Sequence, residues 1–211
     1  MTDAVFLPGA SGRRAYWQPV AERLRLDGEA LLLGWPGFGD TPADTGITSL
    51  RDLPGYVQSQ IQEPVDLVAQ SMGGVVALMV ALQRPDLVRS LVLCGTSGGI
   101  DLARFDAEDW RTSYLQELPE TTPRWFADDR SDLTNLIPSI AQPVLLLWGE
   151  DDRVSPPALG RYLAGLLPNA SFLTIPHTSH MLAEEQPGPV ARHMQVFLDE
   201  LNAEWNTERV S

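Results

Sequence analysis

The sequence predicts an α/β fold: a three-layer sandwich in which helices cover both faces of a mostly parallel sheet of about six strands. Three observations predict it. Six short β-rich apolar runs recur along the chain, each too uniformly apolar to alternate, as strands buried on both faces of a parallel sheet are. Turns and amphipathic stretches separate the runs, and such alternation of strand with helix implies right-handed crossovers. No internal repeat or low-complexity tract interrupts the pattern.

The predicted strands are Ala4 to Leu7, Ala30 to Leu33, Val65 to Ala69, Ser90 to Cys94, Val144 to Trp148 and Ser171 to Ile175. Between the first two, Trp17, Val20 and Leu24 share one helix face, and Gly28 stops that helix. A second helix starts at Ser49, with Asp52 placed for a reciprocal cap, while Pro54 and Gly55 delay its regular part. A third runs from Met72 to Gln83 and ends before Pro85. Pro156 to Leu167 and Pro187 to Trp205 supply two more.

One interval breaks the rhythm. From Gly98 to Ala141 no strand is evident, prolines divide the segment, and Phe105, Trp110, Tyr114, Trp125 and Phe126 stand among many acids. A long strandless excursion inside a compact domain suits a functional insertion such as a lid; the plainer alternative is a pair of helices packed on the sheet edge. We expect a single domain over residues 1–211, with a short cap insertion at 98–141.

Composition narrows the classes. A length of 211 residues fits one domain at roughly 150 residues each. The longest apolar run, Val75 to Leu82, is far short of the ~18 residues that would suggest a membrane span. The start, Met1-Thr2-Asp3, has no basic region or apolar stretch behind it, so no secretory signal is expected. The one cysteine, Cys94, lies in an apolar run and reads as an inert core thiol. It can form neither an internal disulfide nor a zinc site alone, and a reducing cytoplasm is the expected location. All 15 basic residues are arginine, set against 28 acidic ones, and the net charge of −13 disfavours nucleic acid or an anionic membrane as partner.

The chemistry concentrates around Val65-Asp-Leu-Val-Ala69-Gln70-Ser71-Met72-Gly73-Gly74. A strand ends in a serine flanked by small residues and a helix starts at once, the pattern of a nucleophile elbow that lifts the serine hydroxyl clear of the sheet. An ordinary serine N-cap would not explain Gly73 and Gly74 in the first helical turn, where each glycine costs roughly 1 kcal/mol.

Here the chain resembles the α/β-hydrolase family, in its small, minimally lidded serine esterases, over nearly its whole length from Phe6 to about Leu201. The family carries an acid after a later strand and a histidine after the last one, in the order Ser, Asp, His. Gly149-Glu150-Asp151-Asp152 resembles the acid turn, whose register implies Asp152, with Asp151 as the neighbouring alternative. Ser179-His180-Met181-Leu182-Ala183-Glu184-Glu185-Gln186-Pro187 resembles the histidine segment and implies His180 as base. His177 and His193 then fall in a loop and in the final helix. Phe6-Leu-Pro8-Gly9-Ala10 resembles the oxyanion loop, with Pro8 where the family has histidine, and implies the Ala10 and Met72 N–H groups as the oxyanion hole. Gly34-Trp-Pro36-Gly37-Phe38-Gly39 resembles a structural signature of the site's floor.

The resemblance implies a catalytic set of Ser71, Asp152 and His180, no metal or organic cofactor, and a small-molecule ester, thioester or lactone as substrate. Trp110, Trp125 and Phe126 are the candidate substrate contacts. It also implies a reduced fold, because the hairpin that usually precedes the oxyanion strand is missing; the edge this leaves makes a homodimer one expectation. Three alternatives stay open on the same scaffold: a triad-bearing lyase, for whose anionic substrate Arg13 and Arg14 are placed, a perhydrolase, and a ligand-binding protein without turnover. A dehalogenase would carry aspartate where Ser71 stands.

Overall fold

The computed structural model describes residues 2–208. Its strands are β1 (Thr2–Leu7), β2 (Glu29–Leu32), β3 (Val65–Gln70), β4 (Val88–Cys94), β5 (Val144–Gly149) and β6 (Ala170–Ile175). They form one sheet in the order β2-β1-β3-β4-β5-β6, with every neighbouring pair parallel. The helices are α1 (Gln18–Ala21), α2 (Leu53–Ser59), α3 (Met72–Gln83), α4 (Arg111–Glu117), α5 (Trp125–Asp128), α6 (Pro157–Leu166), α7 (Leu182–Glu185) and α8 (Pro187–Glu208).

Every residue of β3 and β5 is buried, which is why their sequences read as unbroken apolar runs. Successive side chains leave opposite faces of a strand, so each run feeds two cores. Val5, Leu67, Leu91, Leu93 and Leu146 pack with Val57 of α2, Val76 of α3 and Leu163 of α6. Phe6, Val68, Val92, Leu145 and Leu147 pack with Val20 of α1, Leu182 of α7 and Met194 of α8. The edge strand β6 instead alternates exposed and part-buried positions along most of its length.

Helix α3 is buried on all sides from Met72 to Ala81. The sheet lies beneath it, and Ile100, Phe126 and Leu133 of the 98–141 segment complete the same core. That segment contains no strand; it consists of α4, α5 and short 3-10 turns. No helix among the described residues is long and apolar enough to cross a membrane.

Several elements depart from expectation. The helix expected through Leu24 is regular only over Gln18–Ala21. Beyond it the Arg23 and Leu24 N–H groups bond three residues back, to Val20 and Ala21, the tighter 3-10 pattern. Ser49 and Asp52 do form the reciprocal cap, but Pro54 and Gly55 do not delay α2, which begins at Leu53. In the first turn a proline's missing N–H breaks no helical bond. Strand β4 starts two residues early, at Val88, because Val88 pairs with Val65 across an irregularity in the ladder.

At the end of β3 remote from Ser71, the fully buried Asp66 carboxylate accepts hydrogen bonds from the Ser90 hydroxyl and the Arg89 guanidinium. Removing one partner of such a pair strands a buried charge, which costs more than the pair's net worth. Arg89→Leu should therefore destabilise the protein by about 3 kcal/mol, read as a lower denaturant midpoint with unchanged m-value. A shift under about 0.5 kcal/mol would show that water reaches Asp66 freely.

Candidate active site

Ser71 stands at the junction of β3 and α3 with φ 51° and ψ −119°, a conformation that costs a non-glycine residue about 1–3 kcal/mol. The surroundings over-determine it. Its N–H donates to the Cys94 carbonyl at 2.9 Å, and its own carbonyl accepts from the Thr96 hydroxyl at 2.6 Å and the Gly74 N–H at 3.0 Å. Gly73 has a packing reason: a Cβ there would lie 2.5 Å from the Pro8 carbonyl oxygen and 2.8 Å from that of Leu7. The helix start and the loop after β1 thus meet backbone to backbone.

The loops after β5 and β6 bring an acid and a histidine to the same end of the sheet. Asp152 is buried, and one carboxylate oxygen accepts from the Val154 and Ser155 N–H groups at 2.9 and 2.8 Å. Its other oxygen lies 2.8 Å from His180 Nδ1. Asp151 is exposed, and its N–H donates to the Thr178 carbonyl. The Glu185 carboxylate accepts from the Ser179 N–H at 2.7 Å, and the Gln70 side-chain amide donates to the His180 carbonyl at 3.3 Å, so the histidine loop is held from both sides. His177 is exposed, with φ 55°, and His193 is half-buried in α8.

Ala10 and Met72 each carry an N–H that donates to no group among the described residues. The loop holding Ala10 is braced in a way the sequence did not disclose. Trp17 Nε1 donates to the Leu7 carbonyl and Trp35 Nε1 to the Gly9 carbonyl, both at 2.9 Å, and both indoles are fully buried. Two tryptophans flank the loop in which Pro8 offers no side-chain hydrogen bond.

Ser71 and His180 open on one cavity of about 480 Å³ with a mainly apolar wall, to which Phe38, Trp110, Tyr114, Leu118, Pro119 and Met181 contribute. Ser71 also lines a smaller compartment of about 60 Å³ with Met72, Trp110, Arg111, Phe126 and Asp129. Of the three aromatic residues expected to contact substrate, Trp110 borders both spaces and Phe126 the smaller one. Trp125 borders neither of these two spaces and packs edge-on against Phe38. Tyr114 and Leu118 were missed as wall residues because only the fold of the segment turns them toward Ser71.

Charge is sparse here. Arg13 borders the larger cavity but pairs with Glu184 at 3.1 Å, and Arg14 lies 3.5 Å from Asp40. Burial pushes the Cys94 thiol well up from its ordinary value, so it stays protonated. No group of three or more His, Cys, Asp or Glu among the described residues is placed to hold a metal ion.

Comparison with known proteins agrees on one family. The profile described as "Alpha/beta hydrolase family" matches residues 4–139, and one described as "alpha/beta hydrolase fold" matches 123–187. The Mycobacterium tuberculosis protein BpoC, named as a non-heme bromoperoxidase, is 28% identical, with 94% of each chain covered. Its alignment spans 247 positions, more than the 211 residues present here, so the relative carries residues that this chain lacks. A pimeloyl-[acyl-carrier protein] methyl ester esterase of Neisseria meningitidis is 25% identical over 93% of this chain and 92% of its own. Among solved structures, a thermophilic esterase from Thermogutta terrifontis superposes with TM-score 0.75 at 21% identity, covering 95% of this chain and 90% of that one.

Proposed function

Because the chain belongs to the alpha/beta hydrolase family, we propose that it is a serine hydrolase of small carboxylic esters, thioesters or lactones, with Ser71 as nucleophile, His180 as base and Asp152 as the orienting acid. One observation carries this reading: the histidine that faces Ser71's cavity has its other ring nitrogen 2.8 Å from a buried carboxylate. With the Nδ1 proton held by Asp152, His180 Nε2 is free to accept a proton. Ser71 Oγ gives up that proton as it attacks the carbonyl carbon. The unengaged N–H groups of Ala10 and Met72 receive the developing oxyanion, each donor contributing about 3 kcal/mol of barrier lowering. His180 then protonates the departing alcohol or thiol, takes a proton from water, and the water oxygen releases the acyl group as a free acid. We read residues 98–141 as a short cap on a single domain spanning 1–211, and the reducing cytoplasm as its location.

The purified protein should hydrolyse p-nitrophenyl butyrate and at least one thioester or lactone while leaving the matching anilide intact. A folded protein inert toward all three classes would contradict the reading. BpoC's name favours one second use of the same acyl-serine: attack by hydrogen peroxide in place of water, giving a peracid. Partition of the acyl product between acid and peracid separates the two.

A further inference from the structure

The spaces on either side of Ser71 differ in character. The larger is mainly apolar and holds His180; the smaller lacks His180 and holds Arg111. Among the described residues the Arg111 guanidinium makes no hydrogen bond and no close ion pair; it lies over the face of Trp110, 5.2 Å away, and interacts at longer range with the Asp109 and Asp129 carboxylates and the Arg130 guanidinium. Its Nε is buried and unpartnered. The neighbouring carboxylates are engaged elsewhere: Asp109 accepts from the Arg111 backbone N–H and the Thr112 hydroxyl, and Asp129 from the N–H and hydroxyl of Ser131. An arginine keeps its charge at any working pH, and a buried N–H without an acceptor is costly. No carboxylate therefore lies at ion-pair distance from this cation, although Asp129 borders the same compartment beside the nucleophile.

The direction of the chemistry assigns the two spaces. The departing alcohol takes its proton from His180, so it belongs on the His180 side, in the apolar cavity. The acyl group extends the other way, past Met72 toward Arg111. We infer that the preferred substrate is a monoester of a short dicarboxylic acid with an apolar alcohol, its free carboxylate paired with Arg111. This rests on the serine-hydrolase reading above and specifies its substrate. Water and the ester yield the dicarboxylate, the neutral alcohol and one proton. The polar space beyond Arg111 is bordered by Asp101, Asp129 and Asp132 and by Arg130, whose guanidinium already donates to the Ala127 and Asp129 carbonyls; three carboxylates against that one further arginine disfavour a carboxylate carried farther and limit the acyl chain to a short one. Arg13, the arginine that the sequence placed nearest the oxyanion loop, is already neutralised by Glu184.

The test compares monobenzyl succinate with benzyl pentanoate, an uncharged ester of similar length, with the active-site concentration counted on a separate portion by fluorophosphonate titration of Ser71. The ratio of kcat/KM values, anionic over uncharged, should be about ten or more in the wild type. It should fall at least tenfold in Arg111→Met and be partly retained in Arg111→Lys. A purely structural role for Arg111 would lower both esters together and leave the ratio unchanged. That result, a wild type that prefers the uncharged ester, or an unlabelled enzyme that turns over neither ester although its serine labels in the separate portion, overturns the assignment and leaves the nucleophile standing. Absence of Ser71 labelling in folded protein overturns the serine-hydrolase reading and this inference with it.

Discussion

Ser71→Gly should abolish ester turnover, lowering kcat by about five to six orders of magnitude, and should make the protein more stable. The two effects share one cause. At φ 51° and ψ −119° the backbone holds a conformation that suits glycine and strains serine, and the strain is maintained by the bonds that Ser71 accepts from Thr96 and Gly74 and donates to the Cys94 carbonyl. Glycine relieves it and removes the nucleophile in the same change. A gain of about 1 kcal/mol corresponds to roughly 2–4 °C in Tm for a chain of this size. Ser71→Ala removes the hydroxyl but keeps the Cβ, so it should match the loss of activity without the gain in stability. Thermal melts and ester assays on both variants check this. Retained activity in either, or equal melting temperatures, would show that Ser71 is not a strained nucleophile.

Asp152→Asn is the second large effect, a loss of about 10³–10⁴ in kcat with little change in KM. The asparagine carbonyl can still accept from Val154 and Ser155, so the turn keeps its geometry. Its NH₂ group then faces His180 Nδ1, at the position of the carboxylate oxygen now 2.8 Å away. A donor there favours the tautomer with the proton on Nε2, which leaves nothing to accept the Ser71 proton. Asp151→Asn supplies the comparison: that side chain is exposed, and its loss should change kcat less than about twofold. If Asp151→Asn proved the damaging variant, the acid would have been misassigned.

The parts of this molecule most legible in its sequence are those specified locally. The run from Val65 to Gly74 encodes a two-sided buried strand, a strained turn and a glycine-opened helix in ten consecutive residues. The Ser49–Asp52 cap is equally local. The turns that bring Asp152 beside His180 were marked in the sequence through a resemblance, by their register relative to Gly149 and Pro187. Contacts between distant segments were not legible. Trp17 and Trp35 brace the loop that carries Ala10 from 10 and 26 residues away, and no local pattern marks an indole for that use. Trp125 looked like a wall residue by composition, yet it borders neither space beside Ser71 and packs against Phe38 and Phe126. Arg111 sits among surface-like neighbours in sequence, and its want of a partner exists only in three dimensions. The four-residue α7 is too short to leave a periodic signal.

The measurement that tests the central claim most directly is the intact mass of the protein after incubation with a fluorophosphonate probe. Wild type should gain the mass of one label, and Ser71→Ala and His180→Ala should gain none, since one lacks the nucleophile and the other the base that activates it. A folded wild type that gains no mass, or a Ser71→Ala variant that still does, would contradict the account.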